Sequence, residues 1–367
     1  YIIMLPFYGD VLQAGVSCLL VIGVGYLLSK FNVFTTDEFK VFNSFNSKVC
    51  LPFLLFRSLA SQKMKDITFL PLLNALLMSA STQLLVGIIS AVFPFKDKLG
   101  MYLSTVISSA YINYIIIGLP IFNSIWGTEY NHIPAICVFT HYVLLVPLYT
   151  ILAGIWRVKQ SKKTASIADN EEGDKDPKAK SKAPAITCKD IGLAFYTAIK
   201  QPLLIGNIIG LIWSAIGIDY YPFFKVMSKY IGDVVLVFAL ICIGRFLQVN
   251  SLLSCKWLHL VLCLFIRCFV CPGFSALYAY AFKFNGRLAR QCIVLSSLPA
   301  ANAGFVLSSE MGIGANVASA MVFWSLVIIV PVLIFWFFIF TADKLIFFFL
   351  KQTLYPFQLL LQPCPDN

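Results

Sequence analysis

The sequence predicts an all-α, polytopic membrane fold of about ten transmembrane helices, arranged as two five-helix inverted repeats, on three observations. Hydrophobic residues make up 59% of the 367 residues and charged ones only 12%, about half the charged share of a soluble domain. The apolar residues fall into repeated runs of about 20, the length that crosses a bilayer as a helix. One long polar segment divides these runs equally. Only helices and closed barrels satisfy their backbone polar groups inside lipid. The runs here are continuous and lack the two-residue alternation of a barrel strand, so helices follow.

Taken in order, the first half (residues 1–156) has expected spans near Val11–Ser29, Phe42–Ala60, Phe69–Phe93, Met101–Trp126 and Ile133–Trp156. Residues 157–190 form a charged segment holding KQSKK, DNEEGDKD and KAKSK, a composition expected to be disordered because it cannot bury enough apolar surface. The second half (191–341) has expected spans near Ile191–Gly217, Phe224–Leu247, Trp257–Phe282, Leu288–Met311 and Asn316–Phe340. A tail, 342–367, carries a short apolar patch at Phe347–Leu350 and ends in Pro and polar residues. An odd number of spans per half would set the second half upside down relative to the first.

The formal charge of +11, from 28 basic and 17 acidic residues, would suggest nucleic acid in a soluble chain. Here the bases lie between apolar runs, so topology explains them and no nucleic-acid partner is expected. Nine Lys/Arg between Arg157 and Lys189 place the central segment in the cytosol by the positive-inside rule. Which membrane holds the protein is not readable. The eleven cysteines are scattered through apolar runs, as small buried hydrophobes are. The lone Cys268/Cys271 pair lies inside an expected span. No metal or cofactor is expected, and no nucleophile–base pair, phosphate-binding glycine loop or carboxylate pair appears, so an enzyme is not the reading. The first residue is Tyr, compatible with a start inside a longer chain or after processing.

Two spans carry a proline in mid-membrane among small and polar residues: Asn113 through Gly118-Leu-Pro120, and Ser296-Ser-Leu-Pro299-Ala-Ala-Asn302-Ala-Gly304. Proline removes a backbone donor and clashes with the preceding turn, and glycine tolerates the unwound backbone that results. The two breaks fall in the fourth span of each half. Interrupted helices at matching positions point to a midplane binding site, and the freed amides suit an anionic group. The expected substrate-binding residues are therefore Asn113, Gly118, Pro120, Pro299, Asn302 and Gly304. Lys200, Asp233 and Lys48 are candidate charge partners, because ionisable groups within spans are costly and functional by default. Arg245 and Arg267 are expected near the interfaces. His141 faces an apolar span, and with three His in the chain no metal site is expected there. The bland alternative is that each proline is only a kink and Asn113 a packing amide; the matched pair with Asn113 and Asn302 favours the binding-site reading.

These residues also carry a resemblance. Asn113 with Gly118-Leu-Pro120 is similar to the fourth-helix signature of the auxin efflux carrier family. Asn43 with Leu51-Pro52, Gln201-Pro202 with Gly210 and Trp213, Arg267 with Pro272, Leu298-Pro299 with Phe305 and Glu310, and Pro331 resemble that family's second, sixth, eighth, ninth and tenth helices. The resemblance implies ten helices in inverted repeats, helices four and nine crossing at their prolines, and a moving part that slides against a scaffold in elevator-type alternating access. It implies that Asn113 contacts substrate. Plant members carry an acid early in helix three; Pro71-Leu-Leu-Asn74 has none, so the resemblance does not extend to auxin recognition there.

The expected function is a secondary carrier of a small organic anion, with the bilayer and that substrate as partners; a homodimer is compatible with it. The alternative is a transporter-like sensor that binds a lipid or small molecule without moving it.

Overall fold

The computed structural model describes residues 5–171, 196, 200–250 and 254–339. Its elements are helical, and their ends follow from the local sequence. Helix α1 is Leu5–Lys30. Helix α2, Thr36–Phe45, opens on a capping box in which Thr35 and Glu38 satisfy each other's orphan amides. Helix α3 is Leu51–Ala60 and α4 is Leu70–Val92, with Pro71 in its first turn, where a missing N–H costs nothing. Asp97 caps α5, Lys98–Ala110, by accepting from the Gly100 amide at 2.9 Å.

The short α6, Gly118–Trp126, and α7, His132–Cys137, precede α8, Val146–Glu171. Helix α8 runs past Trp156, where the fifth span was expected to end, because the polar stretch beyond it is rich in helix-forming Lys, Gln and Ala. The rest of the charged segment, the start of the sixth expected span and the tail lie outside the described residues. The second half resumes with α9, Pro202–Ile216, and α10, Pro222–Val249, each with proline at its start. Helices α11, Trp257–Phe265, and α12, Cys271–Ala281, follow. Then come α13, Gly286–Ser297, α14, Asn302–Met311, α15, Ala315–Val327, and α16, Ile329–Ile339. Helices α15 and α16 meet at a 61° bend. Pro331 causes it, since its ring collides with the carbonyl one turn back.

Three five-residue π-helical segments interrupt otherwise continuous helices: Asn46–Cys50, His141–Leu145 and Ile266–Val270. In each case the second residue after the segment is a proline: Pro52, Pro147 and Pro272. A proline inside a helix cannot donate and crowds the carbonyl four residues earlier. Widening the preceding turn to i→i+5 bonding relieves that crowding. Each segment also presents a buried polar side chain, respectively Asn46, His141 and Arg267.

Among the described residues, five helical stretches are long and apolar enough to cross a membrane: Leu12–Lys30, Leu70–Val92, Thr128–Gln160, Pro222–Val249 and Trp257–Ala281. A sixth is added if the bent α15–α16 pair is one span. The chain is an integral, multi-pass membrane protein. The expected fourth and ninth spans do not qualify by length because each is divided into two shorter helices.

Packing sorts the helices into two groups. Helices α1, α3, α9 and α10 pack chiefly on one another, through glycines that let backbones touch: a Cβ on Gly244 would lie 2.2 Å from the Ile22 carbonyl oxygen, and one on Gly206 would lie 2.4 Å from that of Pro52. Helices α4, α5, α8 and α11–α15 form the second group, tied by Asn74, which exchanges hydrogen bonds with Ser275 at 2.9 and 2.7 Å. Contacts between the groups include Phe246 against Phe305, with ring centroids 4.7 Å apart.

Candidate functional site

The two interrupted helices meet at their breaks. Helix α5 stops at Ala110 and α6 begins at Gly118; α13 stops at Ser297 and α14 begins at Asn302. The intervening extended residues pair as an antiparallel bridge between Ile112 and Ala300. The Asn113 amide donates to the Pro299 carbonyl at 3.0 Å, and the Ala301 amide donates to the Tyr111 carbonyl at 2.9 Å. Unwound backbone in a membrane protein persists only where such groups find partners, and here each break supplies them to the other.

The outward-facing amides of the bridge are satisfied by side chains from neighbouring helices. Ile112 donates to His141 Nε2 at 3.2 Å, and Ala300 donates to Ser325 Oγ at 3.0 Å. His141 is therefore an acceptor at this nitrogen and neutral, wedged against the rings of Tyr111 and Tyr114 at 4.2 and 5.1 Å. It braces the break through the Ile112 amide.

Asn113 is buried, and its Oδ1 accepts from the amides of Ile116 at 3.0 Å and Ile117 at 3.3 Å. It caps the turn that leads into α6. Its Nδ2 has no hydrogen-bond partner among the described residues. Across the crossing, Asn302 opens α14 with its Oδ1 buried and unpartnered. Gly118 and Gly304 sit where the helices touch: a Cβ on the first would be 2.7 Å from Leu298 Cδ1 and 2.9 Å from the Asn113 carbonyl oxygen. One on Gly304 would be 3.1 Å from the Ile107 carbonyl oxygen. The first break differs from its sequence reading in one respect. Pro120 is not in it but in the first turn of α6, where the missing N–H is harmless; the helix has already ended ten residues earlier. Pro299 lies in the second break itself.

The candidate charge partners lie away from the crossing. Asp233 is half exposed on the fourth turn of α10 and pairs with Arg57 at 3.2 Å. Lys200 is exposed, with Nζ 4.2 Å from the Tyr196 ring centroid. Lys48 is exposed on the first π-helical segment. Arg245 holds Ser29 and Thr36 at 3.2 and 2.9 Å.

Arg267 is the correction. Expected near an interface, it is fully buried, and its guanidinium donates to the Ser109 carbonyl at 2.9 Å and to the Ser296 carbonyl. The reason is the π-helical turn ahead of Pro272, which swings this side chain inward. A cavity of about 840 Å³ lies toward the Arg157 end, lined among others by Asp97, Ser104, Trp156, Lys256 and His259. It does not include Asn113, Pro299 or Asn302.

Interrupted helices that meet at their breaks, inside a bundle of apolar helices, are an arrangement found in membrane transport proteins. Residues 10–337 match the family described as membrane transport protein, and the chain belongs to that family. It is similar to auxin efflux carrier component 8 of Arabidopsis thaliana, at 21% identity over 355 residues, covering 88% of this chain and 95% of that protein.

Proposed function

We propose that this protein is a secondary carrier of a small organic anion working by elevator-type alternating access, with ten spans in two inverted repeats. The observation that carries the reading is the bridge between Ile112 and Ala300, which brings two interrupted helices end to end in the bundle. The amides at the starts of α6 and α14 converge there, and helix N-termini attract anions. Repeat symmetry is supported by the matched bracing of the bridge. His141 and Ser325, its two outer partners, come from the fifth expected span of each half. The two packing groups supply a frame (α1, α3, α9, α10) and a body that carries the crossing. The central basic run lies in the cytosol in this reading, by the positive-inside rule. Family membership favours transport over sensing alone.

Substrate contact falls to Asn113 Nδ2, to Asn302 and to the backbone around Pro299, with Gly118 and Gly304 keeping the helices close enough to form the site. The relative's name makes an auxin-like carboxylate one candidate, although helix α4 offers no acid where plant carriers have one. Flux measured across proteoliposomes with a panel of small carboxylates, each beside its uncharged amide, tests the proposal. Saturable flux of a carboxylate without its amide is expected. Saturable flux confined to cations or neutral solutes would overturn it.

A further inference from the structure

Four half-helices end at the crossing, and their dipoles oppose one another. The N-termini of α6 and α14 carry roughly +0.5 charge each, and the C-termini of α5 and α13 roughly −0.5 each. Left alone, these contributions cancel, and the crossing would have little preference for either sign of charge. Arg267 changes the sum. Its side chain is 0% exposed, and it donates to carbonyls in the last turns of α5 and α13. It thereby occupies both negative ends and leaves the positive ends of α6 and α14 uncompensated.

No acid among the described residues pairs with it. The ion pairs among the described residues are Lys40–Asp37 and Arg57–Asp233. Helices α5 and α6 contain no acidic residue, and the acid of α14, Glu310, is at its far end. The Nε of Arg267 is buried without a partner, as is Oδ1 of Asn302 at the start of α14. A buried cation with neither counter-ion nor a full set of acceptors is costly and is kept only where something uses it. Helix α4, which packs on α12 just beyond Arg267, has no ionisable side chain.

We propose that Arg267 is the positioning and charge-selecting residue of the crossing: it clamps the two carbonyl ends together and gives the site its net positive character. This rests on the anion-carrier reading but is tested without transport. In Asn302→Cys, the introduced thiol reports the potential at the crossing through its rates of reaction with a negatively charged methanethiosulfonate (sulfonatoethyl) and a positively charged one (trimethylammonioethyl). Each rate is divided by that of free cysteine, and mass spectrometry assigns the modified residue against the native cysteines.

With Arg267 present, the sulfonate reagent is expected to react faster. In Asn302→Cys/Arg267→Gln the negative-to-positive rate ratio is expected to fall by about ten-fold, the effect of one charge a few ångströms away. In Asn302→Cys/Arg267→Lys it is expected to persist. Should Arg267→Gln not fold, Arg267→Met, similar in reach but uncharged, takes its place. A role confined to bracing the fold would change both rates together and leave the ratio unmoved, which overturns the proposal. So does a preference for the ammonium reagent in the Asn302→Cys parent. A carrier that moves no anion but keeps the Arg267-dependent ratio would refute the transport reading and leave this one standing.

Discussion

Asn113 does two things with one side chain, and they are separable. Its carbonyl oxygen caps the turn into α6, while its Nδ2 has no partner among the described residues. Asn113→Ala removes both. Loss of the cap is expected to cost about 1 kcal/mol of stability. Loss of the donor to a carboxylate costs about 1–3 kcal/mol of binding, or roughly 5- to 150-fold in affinity. Asn113→Asp keeps the cap, because a carboxylate accepts as well, but loses the donor and adds a negative charge. Its melting temperature is expected to stay near that of the wild type while anion affinity falls at least as far as in Asn113→Ala. Thermal unfolding and equilibrium binding on the same purified variants decide. If Asn113→Asp binds the carboxylate normally, Asn113 is a cap and nothing more. The amide was legible in the sequence by its place before a proline; its division of labour was not, because capping depends on where the helix restarts, and Pro120 suggested the wrong place.

At the scale of elements, the prolines sort into two uses. Pro71, Pro202 and Pro222 start helices, whereas Pro52, Pro147 and Pro272 each lie behind a π-helical turn that delivers a buried polar side chain. That second pattern was present in the sequence as Asn, His or Arg five or six residues before a mid-span proline. It passes unnoticed because a count of apolar runs takes each span as one regular helix, and Arg267, expected near an interface, is instead buried at the widened turn. Pro272→Ala restores the missing donor and lets the turn relax to ordinary α-helix, a shift of one residue, or about 100°. Arg267 would then leave the carbonyls of Ser109 and Ser296. Helix content by circular dichroism is expected to hold while substrate binding and flux fall; full binding in Pro272→Ala would mean that the bulge does not depend on its proline.

Close packing of α1 on α10 makes a second demand on elements. A side chain at Gly244 would meet the Ile22 carbonyl oxygen at 2.2 Å and the Tyr26 amide nitrogen at 2.5 Å. Backbone cannot retreat as a flexible side chain can. Gly244→Leu is therefore expected to lower stability by at least about 1–3 kcal/mol, the usual cost of overpacking, read as a lower melting temperature in detergent. An unchanged melting temperature would show that the two helices are free to separate.

For the whole molecule, the all-helical membrane class and the apolar runs were readable from composition alone. The packing groups were not, since they cut across the two expected halves. Helices α1 and α3 join α9 and α10 from beyond the central segment, most of the other core helices join one another, and α6 leans on α1. Contact between distant segments carries no local sequence signal. If the crossing rides on a body that slides against this frame, fixing the two together should stop flux without abolishing binding. Phe246 on the frame and Phe305 on the body, with ring centroids 4.7 Å apart, offer the place. In Phe246→Cys/Phe305→Cys, a short thiol cross-linker is expected to arrest flux in proteoliposomes, and a cleavable version should restore it on reduction. Binding to the cross-linked protein should persist on the one side to which the site is open. Continued flux with the link intact, verified by mass spectrometry of the joined peptide, would rule out sliding between these groups and leave a mechanism in which only the broken helices themselves rearrange.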